Sequence, residues 1–153
     1  MSAEARLREL GLTLPDAAPP VGNYAAWVRT GNLVYLSGQL PVRLDGTRVT
    51  GVVGTDLSVD EGAEASRLAA IGILARLRAA TGSLDHVVRC VKLTGFVNAP
   101  AGFSEQPRVI NGCSDLLVEV LGEAGKHARS AIGVASLPFN CPVEIEAIFE
   151  VEP

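Results

Sequence analysis

A chain of 153 residues is long enough for one hydrophobic core and short for two. Apolar residues make up 48% of it and aromatic ones only 5%, so the core is built from Ala, Val, Leu and Ile in sheet and helix layers. Seventeen acidic residues against thirteen basic ones leave a net charge of −4, and the arginines run from Arg6 to Arg129 without forming a basic stripe, which argues against nucleic acid as the main partner.

Residues 1–14 alternate charge with leucine and hold no apolar run of the kind that opens an export signal, so the expected location is the cytoplasm. No run of about eighteen apolar residues occurs, so no membrane span is expected. Cys90, Cys113 and Cys141 are odd in number and far apart, which fits reduced thiols. His86 and His127 have no further soft ligands near them in sequence, and no metal site is expected.

In chain order, 1–12 predicts a short amphipathic helix that the proline-rich 15–20 segment ends. Residues 1–20 read as an N-terminal extension and 21–153 as a single domain. Runs at 26–29 and 33–37 flank Thr30-Gly31-Asn32 and predict a β-hairpin. A turn at 44–47 leads to a short strand expected over 48–53. Ser58-Val59-Asp60-Glu61 is a capping box, and the helix it starts runs to the Thr81-Gly82 stop.

Residues 87–97 read as a strand with Val87, Arg89, Val91 and Leu93 on one side and Val88, Cys90, Lys92 and Thr94 on the other. Pro107 opens a second helix, whose apolar positions recur up to Gly122. Two strands follow, 128–137 and 143–151, joined by turn formers. The order describes an α+β fold in which a mixed sheet carries two helices on one face. The other, largely aliphatic face asks for cover, which a closed oligomer would supply together with clefts between subunits.

Strand alternation over 143–151 sends Glu144, Glu146 and Glu150 to one side. A solvated face accounts for most such residues, but a carboxylate beside a cleft can hold water or a proton. Arg129 is either half of a surface ion pair or a bidentate clamp for a small carboxylate. Ser37-Gly38 ends the hairpin and offers a backbone amide at Gly38.

Gly22-Asn23-Tyr24, the run Gly31-Asn32-Leu33-Val34-Tyr35-Leu36-Ser37-Gly38-Gln39-Leu40-Pro41, Ala128-Arg129-Ser130, Leu137-Pro138 and Val143-Glu144-Ile145-Glu146-Ala147-Ile148 occur in an order that resembles the RidA/YjgF family along almost the whole chain. The chain is similar to a longer branch with an N-terminal segment and a run like Gly51 to Ser58. The resemblance implies a chorismate-mutase-like homotrimer with sites between subunits. It also implies a cofactor-free deaminase of reactive 2-imino or enamine acids. By the same resemblance Arg129 pairs with the substrate carboxylate and Glu144 positions water. Tyr24, Ser37 and Asn111 line the site, while Gly38 and Ala131 lend backbone amides. Ala131 stands where proven imine deaminases of the family usually have cysteine. That departure keeps a second reading open, a trimer that binds a small carboxylate or regulates a partner without turnover. The endoribonuclease label carried by some relatives is disfavoured by the charge.

Overall fold

The computed structural model describes residues 1–153. A five-stranded sheet runs in the order β1-β2-β5-β3-β4, with β1 Trp27–Thr30, β2 Leu33–Gln39, β3 Val87–Asn98, β4 Ala128–Val134 and β5 Val143–Val151. Only the β3 and β4 pair is parallel; all other neighbours are antiparallel. The helices α1 Ala3–Glu9, α2 Val59–Thr81 and α3 Gln106–Leu121 complete the expected α+β architecture. None is long and apolar enough to cross a membrane.

The signals read from sequence act where they stand. Ser58 Oγ accepts the Glu61 amide at 3.1 Å and Glu61 Oε2 accepts the Ser58 amide at 2.7 Å, so two donors that the first turn of α2 would leave unpaired are satisfied. At the far end Gly82 takes a left-handed φ of 81° and returns its amide to the Arg78 carbonyl. Residues 1–14 do not stand apart: Ala3, Leu7 and Leu14 join the main core, and the Leu84 amide donates to Glu4 Oε1.

α2 and α3 cover one face of the sheet. From the sheet side they meet Val143, Ile145, Ala147, Phe149 and Val151 of β5, all buried as the alternation predicts. The two helices touch at backbone distance, because a Cβ on Gly112 of α3 would collide with the Ala63 carbonyl of α2. On the helix side of the sheet, Gly95 leaves room for Ile110.

Three expectations change. The strand over 48–53 is replaced by two isolated bridges, Val42 to Arg48 and Val53 to Leu57, since no neighbouring strand is in reach to extend either. The first of the two last strands stops at Val134 and pairs in parallel with β3, not with β5, and Pro138–Asn140 form a 3₁₀ turn with Phe139 and Asn140 both at positive φ. In β3 the simple alternation fails. The register against β5 slips between Val87 and Arg89 and again between Cys90 and Lys92, one extra residue each time. Val87, Cys90, Leu93 and Val97 therefore all turn toward the helices, while Arg89, Lys92, Thr94 and Phe96 share the open face with Glu150, Ile148, Glu146 and Glu144. That face is mixed in character. Val28, Tyr35 and Ile132 are exposed on it beside charged residues.

Candidate functional site

The residues singled out from sequence form two groups. The first lies where β4 meets α3. Arg129 pairs in register with the fully buried Leu93, so its side chain leaves the sheet on the helix side. There Nη1 donates to Asn111 Oδ1 at 2.9 Å and to Ser114 Oγ at 3.2 Å. Both hydrogens of Nη1 are thus committed. Nε and Nη2 make no hydrogen bond within the chain, and Arg129 takes part in no ion pair. A guanidinium fixed by one nitrogen presents the parallel N–H pair of its other edge, the geometry that grips a carboxylate through two bonds. Ala131 follows on the same side of β4, opposite Gly95.

The second group lies on the open face at the β2–β5 junction. The pairing of these strands slips between Leu36 and Gln39, which places Ser37 and Gly38 in a bulge. Glu144 fills the space above Gly38: a Cβ there would stand 2.7 Å from Glu144 Oε1 and 2.9 Å from its Cγ. Burial, with the Glu146 carboxylate adding to it, pushes the Glu144 carboxyl above the usual carboxylate range. A group so shifted holds a proton more readily near neutrality, as acid–base work requires. Ser37 Oγ donates to the Ala25 carbonyl at 2.7 Å and so ties down the segment that carries the exposed Tyr24, whose ring packs over Gly22. Arg48 rims this group, stacked 4.0 Å above the Phe139 ring, and its charge and that of Glu144 both reach the Cys141 thiol.

The fold therefore brings Arg129 to Asn111, and Glu144 to Gly38, but does not bring the two groups together. The sheet itself and strand β3 lie between them. A depression of about 390 Å³ on the open face is lined by Ser37, Tyr35, Lys92, Thr94 and Glu146, and by neither Arg129 nor Glu144. The three cysteines are buried, and burial raises the thiol pKa of each, to about 12 for Cys90.

Sequence reasoning missed Ser114 and His127. Ser114 Oγ lies 2.9 Å from His127 Nε2. The available signal was spacing, since residues 111 and 114 are three apart on one helix and share a face.

A family model described as "YjgF/chorismate_mutase-like, putative endoribonuclease" matches residues 4–150. The chain belongs to the YjgF/RidA family. It is 47% identical to Protein TCP17 of Trypanosoma cruzi over 96% of this chain and 92% of that one. The crystal structure of Atu1372 from Agrobacterium tumefaciens, a protein of unknown function, superposes with a TM-score of 0.90 at 49% identity, covering 98% of this chain and 94% of the other. A 2-iminobutanoate/2-iminopropanoate deaminase of Dermatophagoides farinae is 30% identical over 92% of this chain and 95% of its own. As a YjgF/RidA member the chain has the chorismate-mutase-like fold that its sheet order and helices display.

Proposed function

We propose that this YjgF/RidA protein is a homotrimeric, cofactor-free deaminase that hydrolyses small 2-imino or enamine acids to 2-oxo acids and ammonia. The observation that carries the reading is the free Nε and Nη2 edge of Arg129, held in place through Nη1. A family relative named as such a deaminase supports the substrate class.

The reaction asks little of the protein. An imino carbon is already electrophilic, so orientation, a placed water and a proton donor suffice. Arg129 fixes the substrate carboxylate, with Asn111 keeping the guanidinium in plane. Glu144 of a neighbouring protomer holds the water, takes one of its protons as oxygen bonds to carbon and hands it to nitrogen to give the carbinolamine. Glu144 then takes the hydroxyl proton and passes it to nitrogen as the C–N bond breaks, leaving the 2-oxo acid and ammonia. Its raised pKa suits both halves of that exchange. Gly38 and Ala131 offer backbone amides, and Tyr24 and Ser37 close the near side of the cleft. Ala131 leaves more room than a cysteine would, so the pocket accommodates a longer or branched side chain on the substrate.

The same geometry supports the assembly of several copies that a homotrimer requires. Glu144 and Arg129 reach one ligand only if different protomers supply them, and the mixed open face is what a neighbouring subunit would cover. The test generates the imine with an amino-acid oxidase and follows ammonia or 2-oxo acid release. The parent protein is expected to accelerate hydrolysis, and Arg129→Ala to abolish the acceleration. Equal rates for parent and variant would remove Arg129 from its role.

A further inference from the structure

The hydrogen bonds around Arg129 continue to a histidine for which the proposed reaction has no use. Ser114 accepts from Arg129 Nη1 at 3.2 Å, its Oγ stands 2.9 Å from His127 Nε2, and Nδ1 of the same ring stands 2.6 Å from the Gly125 carbonyl. A carbonyl can only accept, so Nδ1 carries the ring proton. In the neutral ring Nε2 is then an acceptor and takes the Ser114 O–H. That turns the lone pairs of Ser114 toward the guanidinium. Each group in the row has one consistent role, running from Gly125 through His127 and Ser114 to Arg129.

We infer that Ser114 and His127 are positioning residues for Arg129, fixing Nη1 so that the Nε and Nη2 edge meets a carboxylate squarely. Their effect on ligand binding rests on the anchor role proposed above; the linkage among the three side chains does not. The row has two sides. Asn111 holds Nη1 from one direction at 2.9 Å, and without Ser114 the guanidinium would pivot about that single bond.

The row also depends on the charge state of the ring. Arg129 is the charged group that faces His127 from β4. α3 presents the neutral Ser114, the turn over 122–125 presents a carbonyl, and the neighbouring Lys126 ammonium is paired with Glu123 at 2.9 Å. Burial and, to a smaller degree, the Arg129 charge hold the ring pKa below the ordinary histidine value, although the Gly125 bond opposes them. Protonation in acid makes Nε2 a donor, reverses the direction of the Ser114 hydroxyl and sets a second cation beside Arg129.

Two measurements on the protein test the inference. NMR titration of the imidazole nitrogens, with His86 as internal reference and His127→Gln for assignment, is expected to show the Nδ1–H tautomer at neutral pH. Arg129→Ala should move the His127 midpoint upward. Calorimetry with pyruvate is expected to give Ser114→Ala a Kd about tenfold above the parent, the worth of one hydrogen bond to a charged group. Ser114→Thr, which keeps the hydroxyl, should restore it. A His127 tautomer and midpoint that ignore Arg129→Ala, or parent-like pyruvate binding by a folded Ser114→Ala, would overturn the inference. If the parent binds no 2-oxo acid while Arg129→Ala still shifts the ring, the deaminase reading falls and the linkage stands.

Discussion

Arg129 and Glu144 leave the same sheet from opposite faces, with β3 between their strands. Adjacent strands are about 4.8 Å apart, so about 10 Å separates β5 from β4 across β3, and the two side chains then point away from each other on opposite faces. No rotation of either side chain brings the guanidinium and the carboxylate to one ligand within a single chain. If they act on one substrate, they do so across a boundary between copies.

Mixing inactive variants tests this directly. Co-expressed Arg129→Ala and Glu144→Gln chains should assemble into trimers in which about one boundary in four pairs an intact arginine with an intact glutamate, recovering about a quarter of the parent rate. Zero recovery from mixed trimers verified by mass spectrometry would place both residues' roles inside one chain.

Gly38 should be intolerant of a methyl group for reasons of site geometry. Its backbone φ is not in the left-handed region, so alanine suits the strand, but the added Cβ would stand 2.7 Å from Glu144 Oε1. Gly38→Ala is expected to retain its melting temperature within about 3 °C, equivalent to about 1 kcal/mol at this length. It should lose most of its kcat, because the carboxylate is displaced. A fully active Gly38→Ala would show that the position of Glu144 does not matter.

The raised pKa of Glu144 makes a stability prediction with a definite sign. A carboxyl whose folded pKa lies above its unfolded value favours the folded state at low pH, and that contribution is lost as pH rises through the folded value. Glu144→Gln carries no charge to desolvate. It should melt slightly above the parent at pH 7, with the gap closing as pH falls below the ordinary carboxylate range. A gap that is constant with pH would contradict the assigned cause.

Gly112 should tolerate no side chain, since a Cβ would be driven into the Ala63 backbone carbonyl, and a carbonyl inside a helix cannot step aside. Gly112→Ala is expected to lower stability by about 3 kcal/mol, read by denaturant unfolding, as α2 and α3 are forced apart.

Local chemistry made parts of this fold legible. Ser58 and Glu61 mark the start of α2 because a capping box is complete within four residues, and β5 keeps strict alternation because its neighbours pair with it on both sides. The faces of β3 were not legible. A bulge is chosen by the partner strand, and nothing in Val88 or Val91 themselves announces one. The site divides in the same way. Arg129 and Glu144 lie within an ordered set of short runs and Asn111 came from the resemblance those runs carry, whereas Ser114 and His127 act through contacts between α3 and the start of β4 that only packing creates.

The two bulges in β3 have a consequence for which layer owns the charges. Were Val91 paired in regular alternation instead of bulged out, the strand beyond it would turn over, sliding Lys92 and Thr94 under the oily helices and exposing Leu93 to water. With the bulge, the ammonium of Lys92 faces the side that β5 fills with acids, and reaches Ser130 Oγ at 3.3 Å. The bulge thus sorts an entire strand between oil and water, by taking out of the alternation the one residue that would throw it out of phase.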